Sequence, residues 1–252
     1  ALASPSRSAL NRNDAAAGSG EKMRETIWTF GLGTSAPSIL SGRCDRRYDT
    51  PMPATNRILV VSFSPIYRDA RVLRQISALA QIGEVTTVGY GGRPEGATNH
   101  FQISDGHSSL PQTIPGVLTL GLRQWKRTEM AAPASKATVE LVGDQRYDVV
   151  VANDARALPA AFAVAKGAPV IADLHEWARG ERTHVAVWRI LVSPLMDHIC
   201  REYLPRTAGA STVGEEIAKL YDQEYGVRPV VVRNAAPFHD LAPNEVDDAV
   251  IR

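Results

Sequence analysis

Apolar and polar residues follow one another along this 252-residue chain in two rhythms, and the changes of rhythm mark out its elements. Residues 57–63, RILVVSF, form a continuous β-branched run, as in a strand buried on both faces. After Ser64 and Pro65 the spacing becomes i, i+3, i+4, i+7. Val72, Leu73, Ile76, Leu79 and Ala80 predict a helix with Asp69 as N-cap and Gly83 as its stop. EVTTVGY then predicts a second strand ending at Gly91 and Gly92, which completes a βαβ unit.

Residues 93–116 are polar and read as a long connection, with a weaker third strand over Gly116–Leu122. Residues 123–135, which include Trp125, Lys126 and Arg127, predict a mobile loop, and a helix follows over Lys136–Gly143. The stretch YDVVVANDARALPAAFAVAKGAPVIADLHEW supplies strand, helix and strand, each strand stopping at a polar cluster. Trp188, Leu191, Val192, Leu195, Met196, Ile199 and Tyr203 predict a long amphipathic helix bent near Pro194. AGASTV is a short strand. Thr212 and Glu215 have capping-box spacing ahead of the stripe Ile217, Leu220, Tyr221 and Tyr225, closed by Gly226. PVVVRN is the last strand. Strands alternating with helices predict an α/β fold with one doubly wound, Rossmann-like parallel sheet of about seven strands.

Composition adds limits rather than a function. A net charge of +1, from 28 Lys and Arg against 27 Asp and Glu, gives no global field toward nucleic acid or an anionic surface. Cys44 and Cys200 imply neither a disulfide framework nor a thiolate metal site, and favour a reducing, cytoplasmic setting. No run reaches the roughly 18 apolar residues of a membrane span. Residues 1–56, rich in Ala, Ser, Gly, Asn, Arg and Pro, are expected to be a disordered or start-site-artefact tail ahead of a domain over 57–234. GLG at Gly31–Gly33 lacks the flanking strand and helix of a phosphate loop.

Candidate chemistry gathers where strands end, because open parallel sheets bind ligands in the crevice at their carboxyl ends. Asp173, His175 and Glu176 end one strand. His175 is the catalytic candidate, and Asp173 and Glu176 are its supporting carboxylates, able to hold its tautomer or raise its pKa. Asn153 and Asp154 end another strand, where they either bind substrate or cap the next helix. In the first loop, SFSPIYRDAR, Arg68 and Arg71 beside a helix N-terminus suit an anion; the alternative is that Asp69 only caps and the arginines are solvated. Trp177 could stack on a substrate, while Trp188 fits the core. Glu216 and Glu224 share one side of a helix opposite its buried stripe, as on a solvated face. No metal-ligand spacing and no nucleophile motif occurs.

These pieces, in this order, resemble the N-terminal domain of GT-B glycosyltransferases, most closely family 4, the glycosyl transferase group 1 type. The resemblance covers about residues 57–240 and rests on YRDARVLRQISALAQIGEVTTVGY, YDVVVANDARALPAA, VIADLHEW, ASTVGEEIAKLYDQEYG and VVVRNAAP. It implies an acceptor-side domain facing a donor domain across a cleft, and retaining, metal-independent transfer from a nucleotide-diphosphate sugar without a permanently bound cofactor. It implies that the loop from Pro65 through Arg68 and Asp69 to Arg71 approaches phosphates or acceptor. His175 would lie near the transferring sugar, and Asn234 on the exit toward the second domain. Residues 235–252 would be that exit linker, the donor domain lying beyond Arg252, so the chain alone would be nearly inactive. The first loop departs from the pattern, with SFSPIYRD where many relatives carry glycines. Two other readings are a non-catalytic module binding a glycan, lipid headgroup or protein, and half of a sugar-nucleotide epimerase. Peripheral contact with the inner face of a membrane is a further expectation, raised by the basic, Trp-containing Arg123–Arg127.

Overall fold

The computed structural model describes residues 56–235. The tail over 1–55 with its GLG and Cys44, and the linker beyond Ala235, lie outside the described residues. Within them, seven parallel strands form one sheet in the order β3-β2-β1-β4-β5-β6-β7. They are β1 (Asn56–Pro65), β2 (Gly83–Tyr90), β3 (Asn99–Ile103), β4 (Val149–Asn153), β5 (Val170–Leu174), β6 (Gly209–Thr212) and β7 (Val230–Val231). The order reverses direction between β1 and β4, which creates the crevice typical of a doubly wound sheet.

The period of two along the strands divides the core. Ile58, Val60, Val85 and Val151 pack with Val72, Ile76 and Leu79 of α1 (Ala70–Leu79) on one face. The alternate residues Leu59, Val61, Val150, Ala152, Ala172 and Leu174 face α4 (Pro133–Val142), α5 (Leu158–Ala165), α6 (Ser193–Tyr203) and α7 (Glu215–Tyr225) on the other. Trp188 belongs to this second core, as its place in the apolar stripe predicts.

Several expectations are corrected. Gly116–Leu122 is not a strand: α2 (Ile114–Gly121) starts there, with the Thr113 hydroxyl accepting from Gly116 N and a proline in the first turn. The third strand in sequence is instead β3, inside the stretch expected to be a connection. The expected loop over 123–135 contains a short helix, α3 (Trp125–Thr128), and runs into α4. Gly83 does not stop α1, which ends at Leu79; it opens β2, where a Cβ would lie 2.3 Å from the Asn56 carbonyl oxygen. The capping box does not form, because the Thr212 hydroxyl donates to the Leu174 carbonyl inside the sheet and Gly214 is the N-cap of α7. Gly226 does close α7, at φ 67°. A widened helical turn at Trp188–Val192 precedes Pro194, which occupies the first turn of α6.

Candidate active site

Parallel pairing places Ser62, Asn153, Asp173 and Ser211 opposite one another across β1, β4, β5 and β6, one residue row at the carboxyl edge. Partners in register point to the same face, here the face covered by α1. Gln75, buried on α1, bridges the row: Asn153 Nδ2 donates to Gln75 Oε1 at 2.9 Å, and Gln75 Nε2 donates to Asp173 Oδ2 at 2.7 Å. Ser211 Oγ donates to Asp173 Oδ1 at 2.7 Å. Asn153 Oδ1 is buried without a hydrogen-bond partner among the described residues, as is Trp188 Nε1 in the apolar core; in the row it leaves one acceptor free.

His175 lies just past β5 with its ring buried between two carboxylates. Its Nε2 is 3.3 Å from Asp173 Oδ2 and its Nδ1 is 3.5 Å from Asp154 Oδ2, while its backbone N–H donates to Asp154 Oδ1 at 3.2 Å. Burial, the largest single influence, pushes the imidazole pKa down. The Asp173 hydrogen bond and the charges of Asp154 and Asp173 outweigh it, and the net pKa is raised. A doubly protonated ring satisfies both carboxylates; a neutral one leaves a lone pair facing one of them.

Asp154 holds φ 67° and ψ 157°, a region otherwise left to glycine. Its N–H donates to Asp173 O at 2.8 Å, so the turn is tied to β5 while its carboxylate reaches His175. It stands ahead of a 3-10 turn at Ala155–Ala157 but makes no side-chain cap bond. Of the two readings of this residue, capping is the one its geometry does not use.

Asp69 does cap α1, accepting from Arg71 N at 3.2 Å, and Arg71 Nε lies 3.7 Å from the same carboxylate. Burial raises the Asp69 pKa, but the Ser64 hydroxyl, Arg71 and His175 lower it further, and the net pKa is lowered. The α1 N-terminus is therefore already served by a carboxylate. Arg68 is exposed over the Tyr67 ring, and Pro65 ends β1 with its carbonyl accepting from Arg68 N. Glu176 is exposed beside Asp154, Arg156 and Glu181; partial burial and the charges of Glu181 and Asp154 raise its pKa against Arg156. Asn234 lies exposed beyond β7 and forms no hydrogen bond with the cluster. Thus His175, Asp173, Asn153 and Asp154 converge, Asp69 and Arg71 are neighbours of that cluster, and Asn234 stands apart.

No family model matches the chain, and no curated protein matches it. Among solved structures it is similar to Anabaena Alr3699/HepE in complex with UDP and glucose, at 14% identity and TM-score 0.41, over 72% of this chain and 45% of that one. It is also similar to the glycotransferase of kitacinnamycin, at 17% identity and TM-score 0.33, over 71% and 43%. A third is Arabidopsis thaliana UGT89C1 complexed with UDP-L-rhamnose, at 14% identity and TM-score 0.44, over 77% and 56%. The chain spans about half the length of these structures. Likeness at this level carries no inference about chemistry.

Two parts of the site escape the sequence pattern. Gln75 is a buried polar residue within the apolar stripe of α1, and that interruption is its signal. Tyr221 reads as core, yet its hydroxyl donates to Glu176 O at 2.9 Å and accepts from Ala178 N at 3.2 Å, clamping the segment after His175. Trp177 packs edge-on against Tyr221 at 4.8 Å and is part of this clamp. Among the described residues, no group of three or more His, Cys, Asp or Glu side chains is arranged to hold a metal ion.

Proposed function

We propose that this chain is the acceptor-side half of a cytoplasmic, nucleotide-sugar-dependent glycosyltransferase of the GT-B kind, working by metal-independent retention and needing a facing donor domain for turnover. The observation that carries the reading is the polar row Ser62, Asn153, Asp173 and Ser211 at the sheet's crevice, with His175 held over it by Asp154 and Asp173. The order of the family-like motifs along the chain supports it. With both ring nitrogens turned to carboxylates, His175 suits holding positive charge beside a sugar better than abstracting a proton. Charge developing on a leaving diphosphate is stabilised by positioned cations. Because Asp69 occupies the α1 N-terminus, that work on this wall falls to the Arg68 and Arg71 side chains.

The test is to incubate the protein from its full reading frame with UDP-, GDP- and ADP-sugars and to measure nucleoside diphosphate release. Release from one donor is expected, with a loss on the order of 100-fold in His175→Ala. An unchanged rate in that variant removes His175 from the mechanism, and silence with every donor removes the enzyme reading. One observation favours a second reading, a non-catalytic binding module: Asp173 and His175 are already satisfied by protein groups. Calorimetric binding of an acceptor glycan without turnover of any donor is its mark.

A further inference from the structure

We infer that the face formed by α2 and the segment leading into α6 docks on the surface of an anionic lipid bilayer. α2, IPGVLTLG, carries no charge, yet only Gly116 and Leu120 are buried. Ile114, Leu118 and the following Leu122 are 82%, 61% and 68% exposed. A helix apolar on all sides is ordinarily enclosed by protein or lipid. α2 packs against the turn at Trp188–Val192, so the two segments that carry exposed apolar residues are neighbours in the fold. In the second segment Val187 and Ile190 are 64% and 61% exposed. Exposed apolar residues gathered on neighbouring segments, rather than scattered singly, mark an interaction site.

Charge selects the occupant. No Asp or Glu occurs in residues 106–128 or 182–196, whereas Arg123, Lys126, Arg127, Arg182 and Arg189 do. Lys126 pairs with Glu202 and Arg182 with Glu181; Arg123, Arg127 and Arg189 have no carboxylate partner among the described residues. A second copy would set this basic rim against itself, and a protein partner would need a matching acidic rim. An anionic bilayer offers an apolar phase and negative headgroups together. No helix among the described residues is long and apolar enough to cross a membrane, so the contact is one of surface docking. The inference does not depend on the transfer chemistry. If both hold, the acceptor is presented from the lipid surface, because both segments follow the carboxyl ends of strands, β3 and β5.

The test is co-sedimentation of the 252-residue chain with vesicles of phosphatidylcholine alone or mixed with phosphatidylglycerol. Binding is expected to the mixed vesicles and to weaken as salt is raised. Leu118→Glu with Leu122→Glu is expected to cut the partition coefficient by more than about tenfold. Gln in place of Arg123, Arg127 and Arg189 is expected to cut it by about fivefold per residue at low salt and to flatten the salt dependence. Wild-type protein that stays in the supernatant with every vesicle overturns the inference, as does unchanged binding by the folded Leu118→Glu, Leu122→Glu variant. Sedimentation velocity gives a third overturning outcome: a wild-type dimer that this variant splits, with neither form binding vesicles, makes the face a contact between copies. If that variant does not fold, wild-type binding and the charge variant decide the matter.

Discussion

Asp154 holds His175 at two points, accepting the His175 backbone N–H on Oδ1 at 3.2 Å and facing its Nδ1 with Oδ2 at 3.5 Å. The backbone of Asp154 must adopt φ 67° to do so. A local strain of about 1–3 kcal/mol is thereby balanced by contacts to the residue it serves.

That balance predicts an inversion of the usual ranking of substitutions. Asp154→Gly should be more stable than Asp154→Ala by about 1–2 kcal/mol, because glycine accepts this backbone freely while alanine keeps the strain and loses the carboxylate. Urea unfolding of the two variants measures the difference. Equal stability would mean that the backbone relaxes once the carboxylate is gone.

A pH dependence follows from the raised pKa of His175. A basic group whose folded pKa exceeds its unfolded value of 6.5 contributes stability that is fully present below pH 6.5 and lost as pH rises through the folded value. The melting temperature should therefore fall across that window, and His175→Gln should remove this part of the slope. Asp69, with its lowered pKa, acts elsewhere: its contribution is present above its unfolded value of 3.8 and lost as pH falls through the folded one. Thermal melts of wild type and His175→Gln across both windows separate the two.

Gln75 should prove costlier to replace than a helix-surface glutamine. Gln75→Leu leaves the Asn153 amide without its acceptor and removes a donor from Asp173, a loss of about 1–3 kcal/mol. Gln75→Glu sets a second carboxylate against Asp173, so its deficit should grow from acid to neutral pH while that of the leucine variant changes less. Denaturant titrations at two pH values check both statements.

Cys200 should resist alkylation in the native protein. Burial, reinforced by the charge of Asp197, pushes its thiol up to about 12, and the thiolate is the reactive form. Mass-spectrometric mapping after iodoacetamide treatment should show Cys200 unmodified until denaturant is added. Rapid native labelling would show that α6 opens readily from the core.

The strands buried on both faces were legible because their apolar runs admit few alternatives: β1, β2, β4 and β5 fall where VVS, VTTV, DVVVAN and VIADL stand. GVLTLGL misleads because a helix exposed on its apolar side has no polar stripe, and its β-branched content then resembles a strand. The informative signal was Thr113 with Pro115 two residues on, a helix start rather than a strand interior. β3, NHFQI, pairs with β2 alone at the sheet's edge, so little burial marks its sequence. At the site, residues that terminate strands could be read from the abrupt change of polarity. Gln75 shows only as a polar interruption of the α1 stripe and Tyr221 only as core; each reaches the cluster from a helix distant in sequence, and only packing brings them there.

The two carboxylates that grip His175 stand at the ends of β4 and β5, whose spacing of about 4.8 Å is a constant of hydrogen-bonded sheets. The gauge of the grip is therefore set by the backbone ladder together with the turn residue Asp154 itself, whose N–H is tied to Asp173 O. Beyond that turn the connections can lengthen or change composition without altering the gap, whereas one residue of slippage between those two strands would turn Asp173 to the opposite face and dismantle the cluster at once.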